Sequence, residues 1–489
     1  AVYTSSFRPP TEPLTNITNT KLLCCNNSST TGSTVTPNTI TANGSPTAST
    51  NSPFDDPAGF VFGDSQEGVI KTGSYVGNGS DSDPVGVYLG FEPQFLLIKR
   101  TDTTSNWQLI DSMRGFPVDG LTWSTLRANT NAAETDSYTT GVEPTATGFN
   151  LVHSWADVNA SGGSYIFCAI RRSDGYVGKQ YGAGEGTSVF AMDTGNGNQS
   201  IPNFDSGFPV DFSIQREPAT SCNWYTGARL TGNKYVFTDT AGAQGGPADD
   251  MVWDSNLGIW ANGGGTTAWQ SWMWKRHAGF DVVVYKSDEL VNGQLNHSLG
   301  KVPEMIWFKS FADAQGWGVY HKGLNGGSNP EQYWLRLDTN AAEGSSNPPL
   351  ASAPTSTHIS LLSTSSFSNY SNDRYIAMLF ASVDGISKVG YYTGSSSDVS
   401  VTTGFQPRFI IIKRNNAAAH WAVFDTLRGI NSSGSGGDYL LYLNSNMAGT
   451  NANGMVGTWI DLSSTGFTVG GNWVGVNGAG SEYIYYAHA

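Results

Sequence analysis

The hexapeptide FLLIKR at Phe95–Arg100 returns as FIIIKR at Phe409–Arg414, and the flanking residues return with it. The first stretch reads GFEPQFLLIKRTDTTSNWQLIDSMRG (Gly90–Gly115), the second GFQPRFIIIKRNNAAAHWAVFDTLRG (Gly404–Gly429). An internal repeat limits the possible folds more than any composition does, because each copy must bury the same faces in the same order. Two weaker copies lie between: GFPVDFSIQREPATSCNWYTGARLTG (Gly207–Gly232) and LGKVPEMIWFKSFADAQGWGVYHKGL (Leu299–Leu324). The tryptophans in register are Trp107, Trp224, Trp317 and Trp421.

The copies also open and close alike. Tyrosines at Tyr75, Tyr181, Tyr285 and Tyr392 open them, and closing segments begin at Tyr165, Trp269, Tyr375 and Tyr483. The period is about 105 residues, too long for a solenoid unit and suited to an autonomous β domain. The boundaries expected are a Ser/Thr/Asn-rich arm over 1–66 and four modules over 67–173, 174–279 (the divergent one), 280–385 and 386–489. FLLIK, NWQLID, GFNLV and YIFCAI read as strands. FLLI and YIFCAI are apolar on both faces, which predicts central strands covered on two sides. With 59 glycines, regular turn signals and poor helix signals, the fold class is all-β: a tandem array of β-sandwich or jelly-roll-like modules behind an extended N-terminal arm.

Composition removes several functions. A net charge of −14 with only 26 scattered Lys and Arg argues against a nucleic-acid partner. No apolar run of about 18 residues occurs, so no membrane insertion by a helix is expected. Cys24, Cys25, Cys168 and Cys222 have neither zinc spacing nor a disulfide pattern, and Cys168 is expected buried and reduced. Seven histidines never pair at ligand spacing, and GSDSDP at Gly79–Pro84 has only the beginning of a calcium loop; no metal and no cofactor is expected. Nucleophile-elbow, Walker and dinucleotide motifs are absent, and no carboxylate pair stands out, so no catalytic residue is assigned.

The pattern GFxPxFhhIKR…W…D…RG with a closing YIxxA strand resembles modules repeated in virion proteins of tailed bacteriophages. QSWMWKRHAGFDVVVY (Gln270–Tyr285) and LNHSLGKVPEMIWFK (Leu295–Lys309) are similar to tail-fibre-like proteins of marine, cyanobacterium-infecting phages. The resemblance covers residues 20–489 and implies a virion structural protein, a tail fibre or tail-associated adhesin, assembled in the host cytoplasm. It implies other virion proteins, a host-surface glycan or receptor, and further copies of the chain in a homo-oligomer as partners. It transfers no catalytic residues. The alternatives are a capsid or neck decoration and a polysaccharide depolymerase tailspike.

Residues recurring between copies are read as architecture: Lys99, Lys309 and Lys413 snorkelling at the sheet edge in three copies, Asp–Arg pairs at Asp111/Arg114 and Asp425/Arg428 in two, and the four in-register tryptophans as core anchors. One cluster breaks the repeat. Trp253, Trp260, Trp269, Trp272 and Trp274 fall within 22 residues, and Trp253, Trp260, Trp272 and Trp274 are the candidate platform for stacking sugar rings, against packing inside the second module. Loops that vary between modules, Gly242–Thr267, Asn431–Asp438 and Asn444–Gly457, are where attachment is expected, the last module being favoured.

Overall fold

The computed structural model describes, in the N-terminal unit Ala1–Val69, residues 18, 20–21, 23–24, 33–35, 41 and 43. In the second unit, Ile70–Ala489, it describes all residues but 82–84, 115, 117–121, 140, 146–147, 172–185, 198–201, 233, 247–250, 254, 256, 260–266, 277–278, 312, 371–372, 431–437, 452–458 and 472. The first unit contains a short antiparallel pair, Leu23–Cys24 with Ser33–Val35. Most of the expected arm, the end of the calcium-like loop and the opening Tyr181 lie outside the described residues.

The second unit is all-β and antiparallel, with Ala156–Asn159 as its one α-helix among the described residues. Four large sheets repeat one strand order. In the first module the opening strand Ile70–Val76 pairs with the closing strand Ser164–Arg171. The closing strand pairs in turn with the inner strand Pro93–Arg100, and that with the tryptophan strand Gln108–Asp111. The same order runs through Phe190–Thr194, Gln270–Trp274, Phe212–Arg216 and Tyr225–Ala228 in the second module. It runs through Phe280–Lys286, Arg374–Phe380, Met305–Ser310 and Gly318–His321 in the third. Ser387–Thr393, Glu482–His488, Phe409–Arg414 and Ala422–Asp425 form it in the fourth.

Local chemistry explains why these elements recur. The chain turns sharply into each inner strand at Gly90, Gly207, Gly300 and Gly404, where φ is +85°, +75°, +69° and +92°. Only glycine adopts such angles freely, so the glycine of the repeat is a backbone requirement. The opening and closing tyrosines stack on each other: Tyr75 on Tyr165 at 4.9 Å, Tyr285 on Tyr375 at 5.5 Å and Tyr392 on Tyr483 at 5.1 Å between ring centres. The opening hydroxyls donate to Val158, Ser368 and Val476 carbonyls, so each ring packs into its module with its polar tip satisfied.

A smaller sheet covers one face of each large sheet. In the first module it is Val85–Tyr88, Gly148–Leu151 and Val142–Thr145, and in the fourth Val399–Thr402, Gly466–Val469 and Ile460–Ser463. The second and third have two-stranded versions. Each sandwich encloses its own core, such as Leu96, Ile98, Phe149 and Phe167 in the first module. The other face of the large sheets is where the modules differ. In modules two to four these faces meet in one shared core containing Phe212, Trp272, Trp274, Met305, Trp307, Phe380, Phe409, Ile411 and Tyr486. Tandem in sequence, these three modules are not strung out in space. They close on one another.

Candidate functional site

The closure is built from two hydrogen bonds repeated at each of three interfaces. The Trp317 Nε1–H donates to the Phe237 carbonyl at 2.8 Å, Trp421 to Arg336 at 2.8 Å, and Trp224 to Tyr442 at 2.8 Å. Thus the third module reaches the second, the fourth reaches the third, and the second reaches the fourth. The return bonds are backbone to backbone: Gln244 N–H to Phe311 O at 2.9 Å, Glu343 to Asn415 at 2.8 Å, and Gly449 to Pro218 at 2.6 Å. In each module the accepting carbonyl lies two residues before an Asp or Asn that caps the tryptophan's own backbone N–H. Those caps are Asp239 for Trp224, Asp338 for Trp317 and Asn444 for Trp421. Phe237, Arg336 and Tyr442 are therefore equivalent positions, and the three modules are related by a pseudo-threefold axis.

The tryptophan anchors have the architectural role read from sequence in three modules, where Trp224, Trp317 and Trp421 are buried. Trp107 is half-buried, although its backbone N–H is capped by Asn129 in the same way.

The sugar-stacking platform is corrected. Trp253, Trp272 and Trp274 are 4%, 1% and 1% exposed. The Trp253 indole donates to the Gly232 carbonyl, Trp272 to Asp425 of the fourth module, and Trp274 to the Tyr486 hydroxyl. Trp272 and Trp274 belong to the shared core, and a buried ring has no face left for a sugar. Trp260 lies outside the described residues. The Asn444–Gly457 loop is corrected in part as well. Ser445 and Met447 carbonyls accept from Arg216, and Gly449 makes a ring bond, so that portion is committed to the second module. Residues 431–437 and 452–458 lie outside the described residues.

The lysines depart from the snorkelling expectation. Lys309 and Lys413 are fully buried, with Nζ donating to the Ser310 and Gln315 carbonyls and to the Arg414 and Asn340 carbonyls respectively. Lys99 makes the matching bonds to Arg100 and Ser105. Burial pulls the Lys309 ammonium down to about 8 and that of Lys413 down to about 7. His321 is buried between the third and fourth modules. The Gly323 N–H donates to its Nδ1, so its Nε2–H donates to the Tyr485 carbonyl, and burial lowers its pKa to about 3. His488 is buried likewise and also lowered to about 3. Cys168, expected buried, is half-exposed, and Cys168 and Cys222 are free thiols.

A depression of about 420 Å³ is lined by Lys301, Val302, Pro303, Glu304, Tyr320, Lys322, Ala381 and Ser382. Burial pushes its carboxylate, Glu304, upward, but hydrogen bonds from Lys322 and Ser382 outweigh it and hold the group below the usual range. An ionised, paired carboxylate is not a general acid. Among the described residues no group of three or more His, Cys, Asp or Glu is placed to hold a metal ion.

The fold and its most developed site thus define a multi-module β protein whose repeated residues make an intramolecular interface. A family model described as a domain of unknown function, DUF7483, matches residues 4–174 and 249–489. The chain belongs to that family. No curated protein matches it.

Proposed function

We propose that the chain is a non-enzymatic component of a tailed-phage particle, a fibre or tail-associated adhesin that presents variable loops on a rigid β framework. The observation that carries this reading is how the repeat spends its residues. Trp224, Trp317, Trp421, Lys413 and Asp425 occupy positions that recur between modules, and all are buried in bonds that hold modules together. A catalytic group need occur once, whereas residues repeated for mutual support are those of a scaffold. Low charge and abundant Asn, Ser and Gly suit uncharged surface loops that recognise glycans. With the tryptophan platform buried, those loops become the proposed location of attachment.

The test is to incubate the purified chain with surface polysaccharide of a susceptible host. The reading expects retention of the chain on immobilised polysaccharide and no new reducing ends. Released reducing ends would move the protein to the depolymerases. Absence of retention, with antibody labelling on the capsid or neck of intact particles, would make it a decoration. Deleting residues 386–489 is not a clean test, since it uncovers the core shared by modules two to four.

A further inference from the structure

We propose that three copies of this chain join through their first modules, closing the same ring that modules two to four close within one chain. The first module has the same strand order as the other three. Its inner and closing strands are apolar on both faces, yet among the described residues only one face is fully covered. The inner strand of the third module is buried at every residue, whereas that of the first is buried on alternate residues. Ile166, at the position of Ile376 and Ile484 in the shared core, is 42% exposed, and Val76 on the neighbouring strand is 61% exposed.

The ring-forming groups are present and vacant. Trp107 stands where Trp224, Trp317 and Trp421 stand. Arg127, two residues before the cap Asn129, stands where Phe237, Arg336 and Tyr442 accept. Glu134 and Thr101 stand where the return bonds run from Gln244, Glu343 and Gly449 to Phe311, Asn415 and Pro218. Among the described residues, the Trp107 Nε1–H, the Glu134 backbone N–H and the Thr101 carbonyl have no hydrogen-bond partner in the chain. The first module touches its own chain elsewhere, through Glu92 to Arg276, Ser112 to Arg229 and Glu143 to Arg374. None of these engages Trp107, Thr101 or Glu134. In the closed assembly each Trp107 donates to the Arg127 carbonyl of the next copy, and each Glu134 N–H to the next Thr101 carbonyl. The occupant is a further copy of the chain, because this face already matches its own siblings, and the count is three because the sibling ring closes at three. The inference rests on the fold and not on the attachment reading.

Light scattering of the 489-residue chain at micromolar concentration tests it. The expected mass is three times 52.2 kDa. Ile166→Glu places a charge at an exposed position, so the single chain folds, and the mass falls to one chain with unchanged circular dichroism. Trp107→Phe removes one bond at each interface and weakens association roughly tenfold per interface. Cys168 lies on the same face as Ile166, which the assembly covers, so in a background lacking the other cysteines it resists maleimide when Ile166 is kept and reacts in Ile166→Glu. A wild-type mass of one or two chains would overturn the proposal. So would a trimer that survives Ile166→Glu with Cys168 reactive throughout.

Discussion

Replacing Trp317 by phenylalanine removes the indole N–H that reaches the Phe237 carbonyl at 2.8 Å while keeping an aromatic ring in the shared core. Losing the bond and leaving that carbonyl without its indole donor costs about 1–3 kcal/mol. The smaller ring gives up buried apolar area worth about 1 kcal/mol. The sum, about 2–4 kcal/mol, should appear as a lower urea midpoint with an unchanged slope. Because the bond crosses from the third module to the second, local protection should fall too. Hydrogen exchange should speed up around Val236–Phe237 and at Gln244, whose N–H makes the return bond to Phe311. Trp421→Phe, whose bond to Arg336 has the same length, should cost the same within about 0.5 kcal/mol. A loss below about 0.5 kcal/mol for Trp317→Phe, with exchange unchanged in the second module, would refute the claim that these indoles hold the ring together.

Three further outcomes are expected. Acid should weaken the protein: His321 and His488 are neutral when folded, with pKa near 3 against about 6.5 unfolded, so the unfolded chain takes up more protons as pH falls through 6.5. Each should remove about 2 kcal/mol between pH 6.5 and 5, read by denaturation at the two pH values, and a flat profile there would contradict their burial. Alkali should act in the opposite direction, because Lys413 has a folded pKa of about 7 and an unfolded one near 10.5, so stability should rise from pH 7 towards 10. That rise should shrink in Lys413→Met; an identical slope would place the lysine's head in water. Gly404→Ala puts a Cβ on a residue at φ +92° and should cost about 1–2 kcal/mol, a cost absent if the turn can relax.

Much of the architecture was legible before any coordinates. The 26-residue repeat, the in-register tryptophans and, in modules one, three and four, the opening and closing tyrosines each mark one place in the strand order, because strands with fixed partners need the same side chains at the same spacing; in the second module the opening strand is Phe190–Thr194, beyond the expected Tyr181. Closure was not legible. A strand apolar on both faces announces that something covers its second face, but its residues do not say whether that is a sibling module or another chain. The first module shows the difference: PQFLLIKR is as two-faced as FIIIKR, yet among the described residues only the latter is covered on both faces. The Trp253–Trp274 cluster was misread for a related reason, since aromatic density is the same for a core and a stacking platform. The lysines were misplaced because their acceptors are turn carbonyls six residues on, Ser105 and Gln315, which no side-chain pattern marks. The Asp and Asn caps did leave a trace, in the ANTNAAE and DTNAAE segments of the first and third modules.

The central claim is that three modules share one core rather than standing as separate beads. Pulsed hydrogen exchange in rising urea, read on the inner strands Phe212–Arg216, Met305–Ser310 and Phe409–Arg414, tests it directly. The expected result is that all three lose protection at one urea concentration, and that Trp317→Phe lowers all three midpoints together. Three separate midpoints, with only one moved by the substitution, would contradict the shared core.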